Sequence, residues 1–76
     1  MILEKDTPES SNISRMSYDS DTAILSITFS NGSTYEYDEV PEEIGKEFFE
    51  ADSIGKAFYA MIRGFYGFRQ IVEEEG

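Results

Sequence analysis

Hydrophobic residues alternate with polar ones in the first half of the chain and recur at helical spacing in the second half. The segment 22–29 is rich in β-branched residues, and its alternation predicts a strand with one apolar face. The segment 11–18 alternates less strictly and predicts another strand before it. The apolar positions are Ile13, Met16 and Tyr18 in the earlier segment and Leu25, Ile27 and Phe29 in the later one.

The dipeptide Asn31-Gly32 predicts a hairpin turn before a returning strand that contains Tyr35 and Tyr37. A two-residue turn would place both tyrosines on the face away from the apolar side chains. A three-residue loop, with Gly32 as a left-handed bulge, places them on the apolar face instead. The loop is then 30–32, and the predicted pairs are Ile27 with Tyr35 and Leu25 with Tyr37. The hydrophobic pattern favours this register, so we expect the tyrosine rings to be core and their hydroxyls to remain available to a site.

Two helices are predicted after the hairpin. Pro41 and the two glutamates that follow it suit a first helical turn, because the carboxylates complement the helix dipole. Asp52 or Ser53 ends this helix and caps the next, which Gly64 terminates. The buried stripes are Ile44, Phe48 and Ala51 in the first helix and Ile54, Phe58, Met61 and Ile62 in the second. The segment 65–72 predicts a last short strand or an extended tail.

These elements predict an α+β fold, in which a small antiparallel sheet of about three strands packs against two helices. A fourth short strand is added if the C-terminal segment pairs with the sheet. With 76 residues, the chain is long enough for one small domain. We expect a flexible acidic leader over 1–9, the domain over 10–72 and an acidic tail over 73–76. No long apolar run is present, so we expect no membrane association and a cytoplasmic location.

The chain is strongly acidic, with 16 acidic and 6 basic residues and a net charge of −10. Such a balance disfavours binding to long nucleic acids, which normally meet a broad basic face. The segments 10–18 and 53–72 nevertheless contain no acid and carry Arg15, Lys56, Arg63 and Arg69. Either these segments are simply apolar and poor in charges of both signs, or they form a face for an anionic ligand.

A compact anion such as a mono- or cyclic nucleotide needs only two or three cations, together with aromatic faces that stack on the base. Arginine grips phosphate through two nitrogens, and a tyrosine face contributes about 1–3 kcal/mol per stacked base. The candidate ligand-binding residues are Arg15, Tyr18, Lys56, Tyr59, Arg63, Tyr66 and Arg69, supported by Tyr35 and Tyr37. The alternative is that the paired tyrosines pack under the second helix and the arginines pair with local acids.

The residue types present disfavour catalysis. The chain has no histidine and no cysteine, which removes the usual general base, thiol nucleophile and transition-metal ligands. The carboxylates at Asp38, Glu39, Glu42 and Glu43 would suit a hard cation, or they form a solvated helix start, which we favour. We therefore predict a protein that is not an enzyme and uses no cofactor and no metal.

Four segments, in this order, resemble the KTSC domain, a short module named for its place at the C-terminus of some lysyl-tRNA synthetases. They are SSNISRMSYD (10–19), ITFSNGSTYEYDEVP (27–41), ADSIGKAF (51–58) and IRGFYGFR (62–69). The resemblance implies a small α+β fold and nucleotide or RNA binding, and it supplies no catalytic residues. Such modules also occur alone in bacterial and phage proteins.

We therefore expect a non-catalytic module that binds a small nucleotide-like anion, as a homo-oligomer. A phage-encoded module of this kind would sequester a nucleotide immune signal, as a viral antagonist of host defence does. The alternatives are an RNA-binding accessory domain, which the synthetase context suggests, and a protein-interaction module that uses an aromatic patch or a free strand edge.

Overall fold

The computed structural model describes residues 1–7 and 12–71, which form five strands and two helices. The elements are β1 (Ile2–Asp6), β2 (Ile13–Asp19), β3 (Ile24–Phe29), β4 (Thr34–Tyr37), α1 (Glu42–Phe49), α2 (Ile54–Ala57) and β5 (Phe68–Ile71). A π-helical segment, Phe58–Ile62, continues α2 without a break. The strands form one antiparallel sheet in chain order, and the helices lie between β4 and β5. The α+β class is confirmed, and the sheet has five strands where about three were expected.

The expectation of a flexible leader is wrong for residues 2–6, which form the edge strand β1. Ile2 pairs with Asp19 and Asp6 with Arg15, so the whole segment is in register with β2. Only Leu3 of the five residues is partly buried. An edge strand of this kind is held by main-chain hydrogen bonds, so the alternation of apolar and polar residues does not predict it. Residues 8–9 of the predicted leader and the tail 73–76 lie outside the described residues.

The β3–β4 hairpin has the predicted three-residue loop. The Phe29 N–H donates to the Ser33 carbonyl at 2.8 Å, and the Gly32 N–H donates to the Phe29 carbonyl at 2.9 Å. Gly32 has φ of 92°, a left-handed conformation that glycine adopts without steric cost. Ile27 therefore pairs with Tyr35 and Leu25 with Tyr37. This register turns both tyrosines toward the helices.

The helix starts follow the predicted signals, whereas α1 ends at Phe49, before the expected Asp52 or Ser53 and before Ala51. Pro41 precedes α1, and its carbonyl accepts the Gly45 N–H at 2.9 Å. The Ser53 hydroxyl caps α2 by accepting the Lys56 N–H at 3.4 Å. Gly64, with φ of 86°, follows the π-helical segment and allows the chain to turn back toward β5. Among the described residues, no helix is long and apolar enough to span a bilayer.

The core lies between one face of the sheet and the helices. Its buried residues are Ile13, Met16, Tyr18, Leu25, Ile27, Tyr37, Val40, Phe48, Ile54, Ala57, Phe58 and Ile62. The Tyr18 hydroxyl donates to the Val40 carbonyl oxygen, so the largest buried side chain is also held at its polar end. The alternate residues of the strands, including Arg15 and Arg69, lie on the opposite face of the sheet, which we call the open face.

Candidate functional site

The structure places the seven candidate binding residues in four different environments. Arg15 and Arg69 lie on the open face, where each ion-pairs with two carboxylates. Arg15 pairs with Glu4 at 2.6 Å and Asp6 at 3.9 Å, and Arg69 pairs with Glu36 at 2.9 Å and Asp38 at 3.4 Å. These two arginines therefore follow the alternative in which cations pair with local acids.

Tyr18 and Tyr66 belong to the packing of the domain. Tyr18 is 1% exposed, and its hydroxyl is already bonded to the Val40 carbonyl. Tyr66 is half-buried and packs against the core. Lys56 is exposed on α2 and does not line a cavity with the other candidates. These three residues do not join Tyr59 and Arg63 in one site.

Tyr59 and Arg63 come together with Tyr35 and Tyr37 around a cleft of about 550 Å³. We call it the aromatic cleft. It lies between the β3–β4 hairpin, the π-helical segment and the start of β5. Its lining residues are Asn12, Phe29, Ser30, Asn31, Ser33, Tyr35, Tyr37, Phe58, Tyr59, Arg63, Gly64 and Phe68. The volume falls within the range of small-molecule sites, about 300–1,000 Å³.

The walls of the aromatic cleft are a closed cycle of five rings. In order, these are Phe29, Tyr35, Phe68, Tyr37 and Phe58, and neighbouring centroids lie 5.4 to 5.7 Å apart around the whole cycle. Pairs at this separation stabilise one another by about 0.5–1.5 kcal/mol beyond the burial of their area. The cycle joins three separate segments of the chain, so it sets the shape of the cleft from both sides.

Tyr59 and Arg63 extend this wall toward solvent. The Tyr59 ring lies 5.5 Å from Phe58, and the Arg63 guanidinium carbon lies 5.2 Å from the Tyr59 centroid. The Arg63 N–H donates to the Phe58 carbonyl five residues earlier, at 2.8 Å, which closes the π-helical turn. Such turns are rare and occur frequently at functional sites. Here the turn holds a cation above an aromatic face.

The cleft differs in charge from the rest of the protein. Its lining residues include one arginine and no acid, although the chain has a net charge of −10. Among the described residues, no carboxylate lies within ion-pairing distance of Arg63, in contrast to Arg15 and Arg69. An anion that enters the cleft therefore meets an arginine that no carboxylate of the described residues neutralises.

Tyr37 contributes a buried ring and an available hydroxyl. The residue is 4% exposed, and burial raises the pKa of its phenol, with Tyr35 adding to this effect and Arg63 opposing it. Within the described chain, no residue hydrogen-bonds the hydroxyl, and no completely buried side-chain polar atom lacks a partner. The Tyr37 hydroxyl therefore keeps an opening to solvent. The cleft that Tyr37 lines provides it.

Sequence reasoning missed three of the five rings in the cycle, namely Phe29, Phe58 and Phe68. Phe29 and Phe58 were assigned only to apolar faces, and Phe68 only to a last strand or tail. Phe68 is 61% exposed although it pairs with the buried Tyr37. Alternation along a correctly placed β5 would have put Phe68 on the tyrosine face.

The acidic residues near α1 do not gather into a metal site. Glu42 pairs with Lys46 at 2.9 Å, which lowers the pKa of the glutamate and raises that of the lysine. Asp38 pairs with Arg69. Across residues 1–7 and 12–71, no group of three or more potential ligands is arranged to hold a metal ion. These contacts are those of a solvated helix start.

Comparison with known proteins relates the chain to one small domain. A family model described as the KTSC domain matches residues 9–66. A crystal structure of a KTSC domain protein from Yersinia pestis superposes with a TM-score of 0.83 at 34% identity, and the match covers 95% of this chain and 100% of that one. An uncharacterised protein from Stutzerimonas stutzeri is 40% identical over 55 residues, covering 72% of this chain and 78% of that protein.

A lysine–tRNA ligase from Nostoc punctiforme is 39% identical over 64 residues, which cover 84% of this chain. The matched stretch is 11% of the ligase, so this chain corresponds to a small part of that protein. A ligase from Trichormus variabilis matches in the same proportion, at 38% identity.

Proposed function

The chain belongs to the KTSC domain family, and from that premise we propose that it is a non-catalytic module that binds a small nucleotide-like anion in the aromatic cleft. The observation that carries this proposal is the composition of the cleft. It combines a cycle of five aromatic rings with one arginine and no acid, in a strongly acidic protein.

Each part of a nucleotide has a counterpart in the cleft. The exposed face of Tyr59 is available to a base, and base–aromatic stacking contributes about 1–3 kcal/mol. The Arg63 guanidinium, 5.2 Å from the same ring, offers a planar fork to a phosphate. The Tyr37 hydroxyl offers a further hydrogen bond. The lining residues include no histidine, cysteine or carboxylate, so the serines and tyrosines of the cleft have no such side chain beside them to activate a nucleophile.

Calorimetric titration against mononucleotides, cyclic nucleotides and short oligonucleotides tests the proposal. We expect saturable binding of at least one small nucleotide. Arg63→Ala and Tyr59→Ala should each weaken it by about tenfold or more. Arg69→Ala is the matched control, because Arg69 is similarly exposed but lies on the open face. The absence of heat or saturation across the panel would overturn the proposal, and so would equal losses from Arg63→Ala and Arg69→Ala.

A binder without catalytic groups acts on a nucleotide signal by sequestering it. We propose this role, as a homo-oligomer of the viral counter-defence type, because the edge strands β1 and β5 leave main-chain groups for pairing with another copy. Light scattering gives the assembly state, and release of intact nucleotide on denaturing the loaded protein distinguishes sequestration from turnover. A monomer in solution, or a chemically altered ligand, would contradict this extension.

RNA binding is the second candidate, because stretches 36–39% identical to this chain lie within lysine–tRNA ligases. A gel-shift assay at increasing salt, with Arg63→Ala and Arg69→Ala, tests it. RNA binding predicts a steep loss of affinity with salt and a contribution from both arginines. Retention that is absent, or independent of salt, would remove this candidate.

A protein-interaction role has one observation in its favour, namely the exposed aromatic side chains beside the cleft. Phe65 is 64% exposed and Tyr59 is 54% exposed. Capture of a partner from nuclease-treated extract that is lost in Phe65→Ser, with nucleotide binding unaffected, would separate this role from the other two.

A further inference from the structure

The cleft offers one full positive charge, and this sets a limit on the ligand. Resting on the proposed function, we infer that the aromatic cleft selects nucleotides whose phosphate is a diester with a single negative charge. Nucleotides that end in a phosphate monoester or a polyphosphate are disfavoured.

Arg63 is the only fully charged side chain among the described residues that line the cleft. Its guanidinium can hold two oxygens of one phosphate group, and a diester presents two such oxygens that share one charge. Lys56 is exposed on the preceding turn of α2 but lies outside the lining. Arg15 and Arg69 are committed to carboxylates on the open face. A second phosphate charge would therefore have no second cation in the cleft.

Tyr37, a buried polar side chain at the cleft, is neutral. The Tyr37 phenol stays protonated at ordinary pH, since burial raises its pKa. It can donate a hydrogen bond to a ligand oxygen without adding positive charge. A purely apolar ligand would leave this buried hydroxyl without a partner, which is unfavourable. The pair formed by Arg63 and Tyr37 thus offers one charge and one neutral donor.

An additional negative charge on the ligand is unfavourable because the surrounding protein has a net charge of −10. Two unit charges at contact distance in water interact by about 1 kcal/mol, and salt screens charges that lie more than about 10 Å apart. We use this value for the binding free energy lost to one extra negative charge on the ligand. We expect a monoester to bind about fivefold more weakly than the diester of the same base. A triphosphate should bind more weakly still.

Titration calorimetry with four ligands of one base tests the inference at about pH 8 and about pH 5.5. The ligands are the 3′,5′-cyclic mononucleotide, the linear dinucleoside monophosphate, the 5′-mononucleotide and the 5′-triphosphate. The first two share the diester group, so comparing them separates a free cyclic nucleotide from an internal linkage of an oligonucleotide. The monoester dianion takes up one proton near pH 6 and becomes a monoanion, whereas the diester does not titrate in this range.

We expect the diester preference at about pH 8 to shrink at about pH 5.5 because the monoester loses a charge. The protein itself should contribute little to this change. The chain contains no histidine, and the titratable groups facing Arg63 from its own segment and from β4 are Tyr59, Tyr35 and Tyr37. Of these, Tyr37 has its pKa raised by burial, away from this range.

Two variants make the result specific. Arg63→Lys keeps the positive charge but loses the planar pair of donors, so it should weaken the binding of all four ligands and leave the order of their affinities unchanged. Tyr37→Phe removes only the hydroxyl and should weaken diester binding several-fold with the fold intact. A monoester or triphosphate that binds as tightly as the diester at about pH 8 would overturn this inference and leave nucleotide binding standing. If none of the four ligands binds, both this inference and the proposed function fail.

Discussion

Replacing Gly45 with alanine tests how α1 packs on the sheet. A methyl group at Gly45 would lie 2.8 Å from the Tyr18 ring carbons Cδ2 and Cε2 and 3.0 Å from Cγ. The ring cannot slide away easily, because it is fully buried and its hydroxyl is bonded to the Val40 carbonyl. The helix or the ring must therefore move by several tenths of an ångström.

The magnitude is set by two opposing effects. Alanine in a helix is favoured over glycine by up to about 1 kcal/mol. Overpacking a well-packed core costs about 1–3 kcal/mol. We expect Gly45→Ala to lower the free energy of unfolding by about 1–2 kcal/mol, which corresponds to a fall in Tm of several degrees for a domain of this size.

Gly55→Ala is the matched control, because Gly55 also lies in the first half of a helix. A methyl there would meet nothing nearer than the Asn12 side-chain nitrogen, at 4.0 Å. This variant should be neutral or more stable by up to about 1 kcal/mol. Since the helix preference enters both variants, the difference between their unfolding free energies measures the clash with Tyr18.

Urea unfolding followed by circular dichroism gives both free energies under the same conditions. In a Tyr18→Leu background, Gly45→Ala should cost less free energy than it does in the original protein, since the ring atoms that the methyl meets are absent. If Gly45→Ala and Gly55→Ala differ by less than about 0.5 kcal/mol, the close packing of α1 on Tyr18 is refuted.

Two further predictions concern alkaline pH and the turn before β5. Burial raises the pKa of Tyr18 and of Tyr37 above the ordinary 10.0. The unfolded state therefore releases these protons at lower pH than the folded state, and the free energy of unfolding should fall as pH rises past about 10. Urea unfolding midpoints between about pH 8 and about pH 11 measure this fall, and midpoints that do not change with pH would contradict it. Gly64 has φ of 86°, whereas Gly67 does not adopt a left-handed conformation, so Gly64→Ala should cost about 1–2 kcal/mol and Gly67→Ala much less. Equal thermal stability of these two variants would show that the left-handed turn at Gly64 is not required.

Local signals in the sequence were enough to predict the central hairpin and the starts of both helices. Asn31-Gly32 and the apolar alternation together allow only one register that buries the tyrosine rings, and that register is present. The pattern placed the cap of α2 at Asp52 or Ser53 and the end of that helix at Gly64; the structure uses Ser53 as the cap and Gly64 in a left-handed conformation. These features depend on residues that are close together in the sequence, so the sequence alone is enough to predict them.

The edge strand β1 could not be predicted in this way. Its pairing uses main-chain groups, and its residues are mostly polar and exposed. The strand forms because the main-chain groups at the edge of β2 are available for hydrogen bonding, and this availability cannot be read from the hydrophobic pattern of β1. The ion pairing of Arg69 could not be predicted for the same reason, since it also depends on strand pairing. Once β5 pairs with β4, Arg69 stands opposite Glu36 and is neutralised there.

The sequence by itself determined which residue types the candidate site can draw on, namely tyrosines and arginines from acid-free segments of a chain without histidine or cysteine. Only the tertiary structure decided which of these residues meet. Antiparallel pairing sends Arg15 and Arg69 to the open face, whereas the π-helical turn holds Arg63 above Tyr59. The aromatic cycle closes because Phe29, Phe58 and Phe68, far apart in the chain, pack around the two tyrosines. Such contacts depend on long-range packing, which no short stretch of sequence specifies.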